Sequence, residues 1–236
     1  EVVRARVTEV GATPHEITIE CSLDVSSQGL NGQTFNLQTP LRTYRQLQLP
    51  LIGRHQTENA ATAIRAAELA WKTIGAELPE AAVRDGLASV RWAGRFEVLQ
   101  QHPLIVMDAL HTPLAAQRFC ETVETLALPR PRILVVGLLA GREATLLAKP
   151  LAELGATAII APPASERAAD IEEVITAFRE AGILVQNQSG VIKALELACD
   201  LATDQGSVLV VGSLYTVSEA REHLLGISGD RAFGLR

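Results

Sequence analysis

From residue 104 onward, short uninterrupted apolar runs alternate with longer stretches of helical periodicity. The runs fall near 104–107, 133–136, 158–160, 184–186 and 208–211, and helical spacing is read near 114–126, 144–154, 168–181, 191–203 and 217–224. A run such as Ile133-Leu-Val-Val136 has no polar residue at alternate positions. Strands covered on both faces read this way, and a helix between successive strands makes them parallel. The alternation predicts an α/β fold with a doubly wound, mostly parallel sheet.

The residues before it follow another pattern. Residues 1–52 read as a β meander. Ile17, Ile19, Cys21, Leu23 and Val25 alternate with Thr18, Glu20, Ser22 and Asp24, and Val3, Ala5 and Val7 do so more weakly. Phe35 and Leu37 begin another run beyond an Asn31-Gly32 turn signal. From Thr57 to about Gly75 the spacing is helical, with Ala60, Ala63, Ile64, Ala67 and Trp71 on one face. A second helix opens at Leu78-Pro79-Glu80 and runs to about Val90. The loop 91–95 divides the chain, so 1–91 and 92–236 read as separate domains.

Composition narrows the functional classes. With 47% hydrophobic and 20% charged residues the chain has ample material for a core. A net charge of −6 argues against a nucleic-acid-binding surface, which needs a basic excess. No apolar run approaches the roughly 18–20 residues of a membrane span, and no leader opens the sequence. Cys21, Cys120 and Cys199 are odd in number and far apart, which reads as reduced core thiols in a cytoplasmic protein. No His or Cys pair has zinc spacing, so no metal ligand is assigned.

In an open α/β sheet, ligands bind beyond the carboxyl ends of the strands. Three segments qualify. Asp108-Ala-Leu-His111-Thr-Pro113 follows the first run; Asp108 can accept from ribose hydroxyls or hold a metal-bound water, or it can cap the next helix together with Thr112. His111 lies near that helix's N-terminus, where an anion is favoured. Gly137-Leu-Leu-Ala-Gly141-Arg142-Glu143 has neither Walker A nor GxGxxG spacing and reads as a strand-to-helix loop with a surface Arg–Glu pair. Gly212-Ser213-Leu-Tyr215 follows the last run; Ser213 can donate to a carboxylate or phosphate, or cap the last helix. Two further residues stand out upstream. Arg95, at the division of the chain, is either solvated or a phosphate clamp. Asn59, read in the first turn of its helix, either caps it or offers its amide to a base edge.

In order, Gly53-Arg-His-Gln-Thr-Glu-Asn59-Ala-Ala-Thr-Ala, Ala93-Gly94-Arg95-Phe96-Glu97, Asp108-Ala-Leu-His111-Thr-Pro113, Gly137-Leu-Leu-Ala and Gly212-Ser213-Leu-Tyr215 resemble the C-terminal half of the folylpolyglutamate and dihydrofolate synthases of the Mur ligase superfamily. The resemblance implies a Rossmann-like C-terminal domain preceded by the tail of a central ATPase-type domain. It implies an ATP-dependent ligase that joins L-glutamate to a folate or dihydropteroate through an acyl phosphate, in the cytoplasm and as a monomer. Asn59 and Arg95 would contact the nucleotide, Asp108 its ribose, and His111 and Ser213 the glutamate and transferred phosphate. Two segments depart from the family pattern: Asp-Gly-Ala-His-Asn-Pro is Asp108-Ala-Leu-His111-Thr112-Pro113 here, and Asp-Lys-Asp is Gly141-Arg142-Glu143. The family's phosphate loop, Mg2+ ligands and modified lysine belong to an N-terminal portion without equivalent in these residues, so the chain alone is expected to be inactive. The alternatives are another Mur-type amide ligase, or a non-catalytic nucleotide-binding or interaction module with the same fold.

Overall fold

Antiparallel pairing explains residues 22–49. In the computed structural model, which describes residues 2–227, β1 (Ser22–Gly29), β2 (Gly32–Gln38) and β3 (Thr43–Leu49) form a sheet with β2 central. Phe35 and Leu37 of β2 and Tyr44, Leu47 and Leu49 of β3 are buried, while Thr34 and Asn36 between them are only partly covered. Gly32 follows the β1–β2 turn at φ +118°, and a Cβ there would lie 2.5 Å from the Leu49 carbonyl oxygen, so no other residue fits.

The strand reading fails before residue 22. Residues Val2–Val10 form helix α1, none of them buried, and Ile17–Glu20 form a single helical turn, α2. The β1–β2 ladder begins with Ser22 opposite Gln38, and β2 ends there. Residues 17–21 have no neighbouring strand among the described residues, and amides here close locally: Glu20 N bonds to Glu16 O and Cys21 N to Ile17 O. Alternation over a few residues fits either conformation, and only a partner strand selects the extended one.

Helix α3 (Arg54–Thr73) begins three residues before the predicted start, and α4 (Glu80–Ser89) follows with Pro79 as its N-cap. The buried stripe of α3 also differs from the predicted one. Thr57, Ala60, Ala61, Ile64, Arg65 and Glu68 point inward, while Ala63 and Trp71 are exposed. A polar knot causes the rotation. Glu68 Oε1 accepts from Thr39 Oγ1 at 2.8 Å and Tyr44 Oη at 3.0 Å, and its Oε2 accepts from Arg65 Nη1 at 3.3 Å. Arg65 Nε donates to Glu20 Oε2 at 3.0 Å. Burial, with Glu68 as hydrogen-bond partner, pushes the Tyr44 hydroxyl up to about 12.

These elements form one compact unit: the chain up to Pro50 together with Arg54–Val90. Leu51–Gly53 and the chain from Arg91 on form a second. That unit holds β4 (Glu97–Gln101), β5 (Leu104–Asp108), α5 (Pro113–Thr125), β6 (Arg132–Val136), α6 (Ala144–Ala152), β7 (Thr157–Ile160), α7 (Ile171–Glu180), β8 (Leu184–Asn187), α8 (Val191–Ala202), β9 (Ser207–Val211) and α9 (Leu214–Leu225). The strand order is β4-β5-β9-β6-β7-β8, with β4 antiparallel to β5 and the others parallel. Ile105, Met107, Ile133, Val135, Val208 and Val210 pack on one face against Val191, Ala194, Leu195 and Ala198 of α8 and Val217 and Ala220 of α9. The alternate residues Val106, Leu134, Val136 and Leu209 are buried on the other face, which explains the unbroken apolar runs. Cys120 is buried, its thiol donates to Pro150 O, and burial pushes it up to about 12. No helix among the described residues is long and apolar enough to cross a membrane.

Glu68→Ala is expected to cost the first unit about 3–5 kcal/mol, because it leaves buried Arg65 without one carboxylate and the Tyr44 hydroxyl without its acceptor, while Thr39 Oγ1 keeps only the Arg42 carbonyl at 3.3 Å. Glu68→Gln, which keeps an acceptor, should cost less; urea unfolding followed by circular dichroism compares the two.

Candidate functional site

The loops singled out in the sequence leave the carboxyl ends of three adjacent parallel strands. Asp108, ending β5, lies level with Val211 of β9, and Val211 lies level with Val136 of β6. Gly137 and Gly212 follow at once. A Cβ on Gly212, at φ +116°, would lie 2.6 Å from the Gly137 carbonyl oxygen, and a Cβ on Gly137 would overlap Thr216 Oγ1. The strand ends meet this closely because neither residue carries a side chain.

Ser213 is the N-cap of α9, as one local reading held. Its Oγ accepts from Thr216 N at 3.1 Å and lies 2.8 Å from Thr216 Oγ1. Thr216 Oγ1 donates its single proton to Gly137 O at 2.9 Å, so the proton between the two hydroxyls comes from Ser213. In this arrangement Ser213 offers a ligand an acceptor, and donation requires its bond to Thr216 to open. Thr216, fully buried, was not singled out in the sequence; its spacing of three from a capping serine was the available signal.

Arg95 lies in a turn with unusual backbone. Gly94 has φ +67° and Phe96 φ +43°, and the second costs about 1–2 kcal/mol in a residue with a side chain. Asp108 holds the turn. Its Oδ2 accepts from Phe96 N at 3.0 Å, and Leu110 N donates to the same carboxyl. The Phe96 ring packs on Phe119 of α5 with centroids 5.3 Å apart. Arg95 itself is half-buried and forms no hydrogen bond or ion pair with any described residue.

Burial is the largest influence on Asp108 and pushes its carboxyl up to about 6, against the Phe96 and Leu110 amides and the charges of Arg95 and His111. The fold therefore brings Arg95, Asp108 and His111 within electrostatic reach of one another. His111 Nδ1 lies 3.0 Å from Ala109 O. A carbonyl can only accept, so Nδ1 carries a proton, and Nε2 is left for a ligand. Thr112 caps α5 by accepting from Ala115 N at 3.2 Å. Asp108 takes no part in that cap, because its carboxyl is turned to Phe96 and Leu110.

Asn59 belongs to the first unit. It is the sixth residue of α3, so it lies beyond the first turn and cannot cap the helix. Its exposed side chain donates from Nδ2 to Gln56 Oε1 at 3.2 Å. In the second unit, Gly141 at φ +78° turns the loop before α6, where Glu143 is the N-cap without a side-chain bond. Among the described residues no three His, Cys, Asp or Glu side chains are grouped to hold a metal ion.

Residues 94–214 match the Mur ligase family, glutamate ligase domain. The chain is 28% identical over 226 residues to the folylpolyglutamate synthase of Lacticaseibacillus casei, covering 95% of this chain and 51% of that protein. It matches the Mycobacterium tuberculosis folylpolyglutamate synthase complexed with ADP and AMPPCP at TM-score 0.86 and 26% identity, over 96% of this chain and 52% of that one. It matches Escherichia coli FolC in complex with DHPP and ADP at TM-score 0.79 and 26% identity, over 95% and 50%. The chain spans about a fifth to a half of the length of the curated relatives it matches.

The raised Asp108 carboxyl gives a signed prediction. Ionising this group costs more in the fold than in the unfolded chain, so its contribution to stability is full below about pH 4 and is lost as the pH rises through 6. Asp108→Asn keeps an acceptor for Phe96 N and removes that loss. The unfolding free energy of the variant relative to the parent should rise by up to about 3 kcal/mol between pH 4 and 7 in urea titrations.

Proposed function

The chain belongs to the Mur ligase family through its glutamate ligase domain, and from that premise we propose that it is the nucleotide- and amino-acid-facing part of an ATP-dependent folate–glutamate ligase. The observation that carries the reading is the cluster of Arg95, Asp108 and His111 at the strand ends, in a chain that matches folylpolyglutamate synthases along almost its whole length.

In the proposed reaction a folate or dihydropteroate carboxylate attacks the γ-phosphorus of ATP, which releases ADP and leaves an acyl phosphate. The amine of L-glutamate then attacks the acyl carbon; phosphate leaves and the amine gives up its proton. Arg95, without a bond to any described residue, offsets charge on the nucleotide phosphates. Asp108 has acceptor positions beyond those used by the two amides and takes ribose hydroxyls. His111 Nε2 and the N-terminus of α9 at Ser213 face the glutamate and the departing phosphate, where the helix dipole favours negative charge.

The described residues do not fit Mg2+, since no acidic or histidine cluster is grouped for it. The ligands of that ion would lie in other parts of the ligase. The 236 residues contain no Walker A sequence. By themselves they are proposed to bind nucleotide without turning it over. The free thiols of Cys21, Cys120 and Cys199 are in keeping with a reducing, cytoplasmic setting.

Calorimetric titration of ADP into this chain should show binding that Arg95→Ala weakens about 10- to 100-fold, the loss expected for a hydrogen bond to a charged group. Equal affinity in parent and variant would remove Arg95 from the nucleotide site. Joined to a phosphate-loop half, the ligase should consume ATP only when a folate and L-glutamate are both present. Consumption with another carboxylate instead would move the chain to a different Mur-type amide ligase.

A further inference from the structure

The turn that carries Arg95 is gripped by a second carboxylate that the reaction does not use. Glu97, on β4 beside the turn, accepts from Gly94 N through Oε2 at 2.8 Å. Both of its oxygens also receive Arg221 Nε of α9, at 3.0 and 3.1 Å. Glu97 and Arg221 are both largely covered, with side chains 19% and 29% exposed. On the other side of Arg95, Phe96 N is held by Asp108. The Gly94 carbonyl accepts from Ala109 N at 2.9 Å, and a Cβ on Gly94 would lie 2.9 Å from Val217 Cγ1 of α9. Both neighbours of Arg95 are thus fixed by a carboxylate, while its own guanidinium bonds to nothing described.

Helix α9 is the common support. Ser213 caps its first turn, Val217 packs on Gly94, and Arg221 reaches Glu97, so one rigid helix touches both the strand-end loop and the Arg95 turn. Eight residues separate Ser213 from Arg221, about 12 Å along a helix. We infer that Glu97 and Arg221 form a clasp that sets the position of Arg95 against the phosphates of a bound nucleotide and couples it to the α9 N-terminus. Both are positioning residues: neither is assigned a contact with substrate. The inference rests on Arg95 being a nucleotide contact.

ADP and adenosine are titrated into the parent chain and the variants Arg95→Ala, Arg221→Met, Glu97→Gln and Arg95→Ala/Arg221→Met. The clasp predicts that Arg221→Met and Glu97→Gln each weaken ADP about 5- to 30-fold and change adenosine affinity less than twofold, because only the phosphates meet Arg95. In the Arg95→Ala background, Arg221→Met should cause no further loss. A general loss of packing would weaken both ligands alike and add to Arg95→Ala, which would overturn the clasp. Unchanged ADP affinity in Arg221→Met and Glu97→Gln beside a weakened Arg95→Ala would overturn it too and leave the nucleotide reading intact. If Arg95→Ala itself binds ADP as the parent does, the nucleotide reading falls and the clasp with it. Should Arg221→Met fail to fold, Glu97→Gln, which keeps an acceptor for Gly94 N, carries the same comparison.

Discussion

The insertion of β9 between β5 and β6 is the constraint on which the second unit depends. The chain lays down β5, β6, β7 and β8 with α5, α6 and α7 as crossovers, then returns through α8 to fill the place left beside β5. The returning strand arrives in register with both neighbours, so that Asp108, Val211 and Val136 end at one level. Three loops then have to leave the same small area. They fit because Gly137 and Gly212 let the backbones approach within a distance that no Cβ permits. A residue with a side chain at either position would push the loops apart.

Carboxylates do much of the fastening in both units. Asp108 and Glu97 accept backbone amides on either side of Arg95 and hold Phe96 in a conformation it would otherwise avoid. Glu68 gathers two hydroxyls and a guanidinium between α3 and the three-stranded sheet. In each case the carboxylate is largely covered and accepts from at least two donors, which offset its desolvation. The same burial that raises the Asp108 carboxyl makes its interactions strong, because little water competes for them. Position around Arg95 is thereby set by groups that need not touch a ligand themselves.

The periodicity of residues 104–211 revealed the parallel strands because burial on both faces leaves its mark on every residue of a strand. It did not reveal β4, whose residues are only partly covered and whose sequence, Glu97-Val-Leu-Gln-Gln101, shows no period. Before residue 22 the pattern misled, since alternation in Ile17–Glu20 has a meaning only when a neighbouring strand is present. On α3 the apolar spacing placed Trp71 inside, but Arg65 and Glu68 took the buried stripe because their partners Thr39, Tyr44 and Glu20 lie far away in the sequence.

What the sequence by itself determined is the material of each layer and the ends at which loops emerge. Continuous apolar strands, helical spacing and the glycines at 94, 137 and 212 are local properties, written within a few residues of where they act. The tertiary structure alone decided which strand lies between which others, that Ser213 spends its proton on Thr216, and that Glu97 meets Arg221 across 124 positions of chain. Those pairings join groups that are distant in sequence, and no periodicity records them. They exist because the sheet order brings α9 beside the Arg95 turn, where the covered Glu97 side chain pairs with Arg221 and with the Gly94 amide.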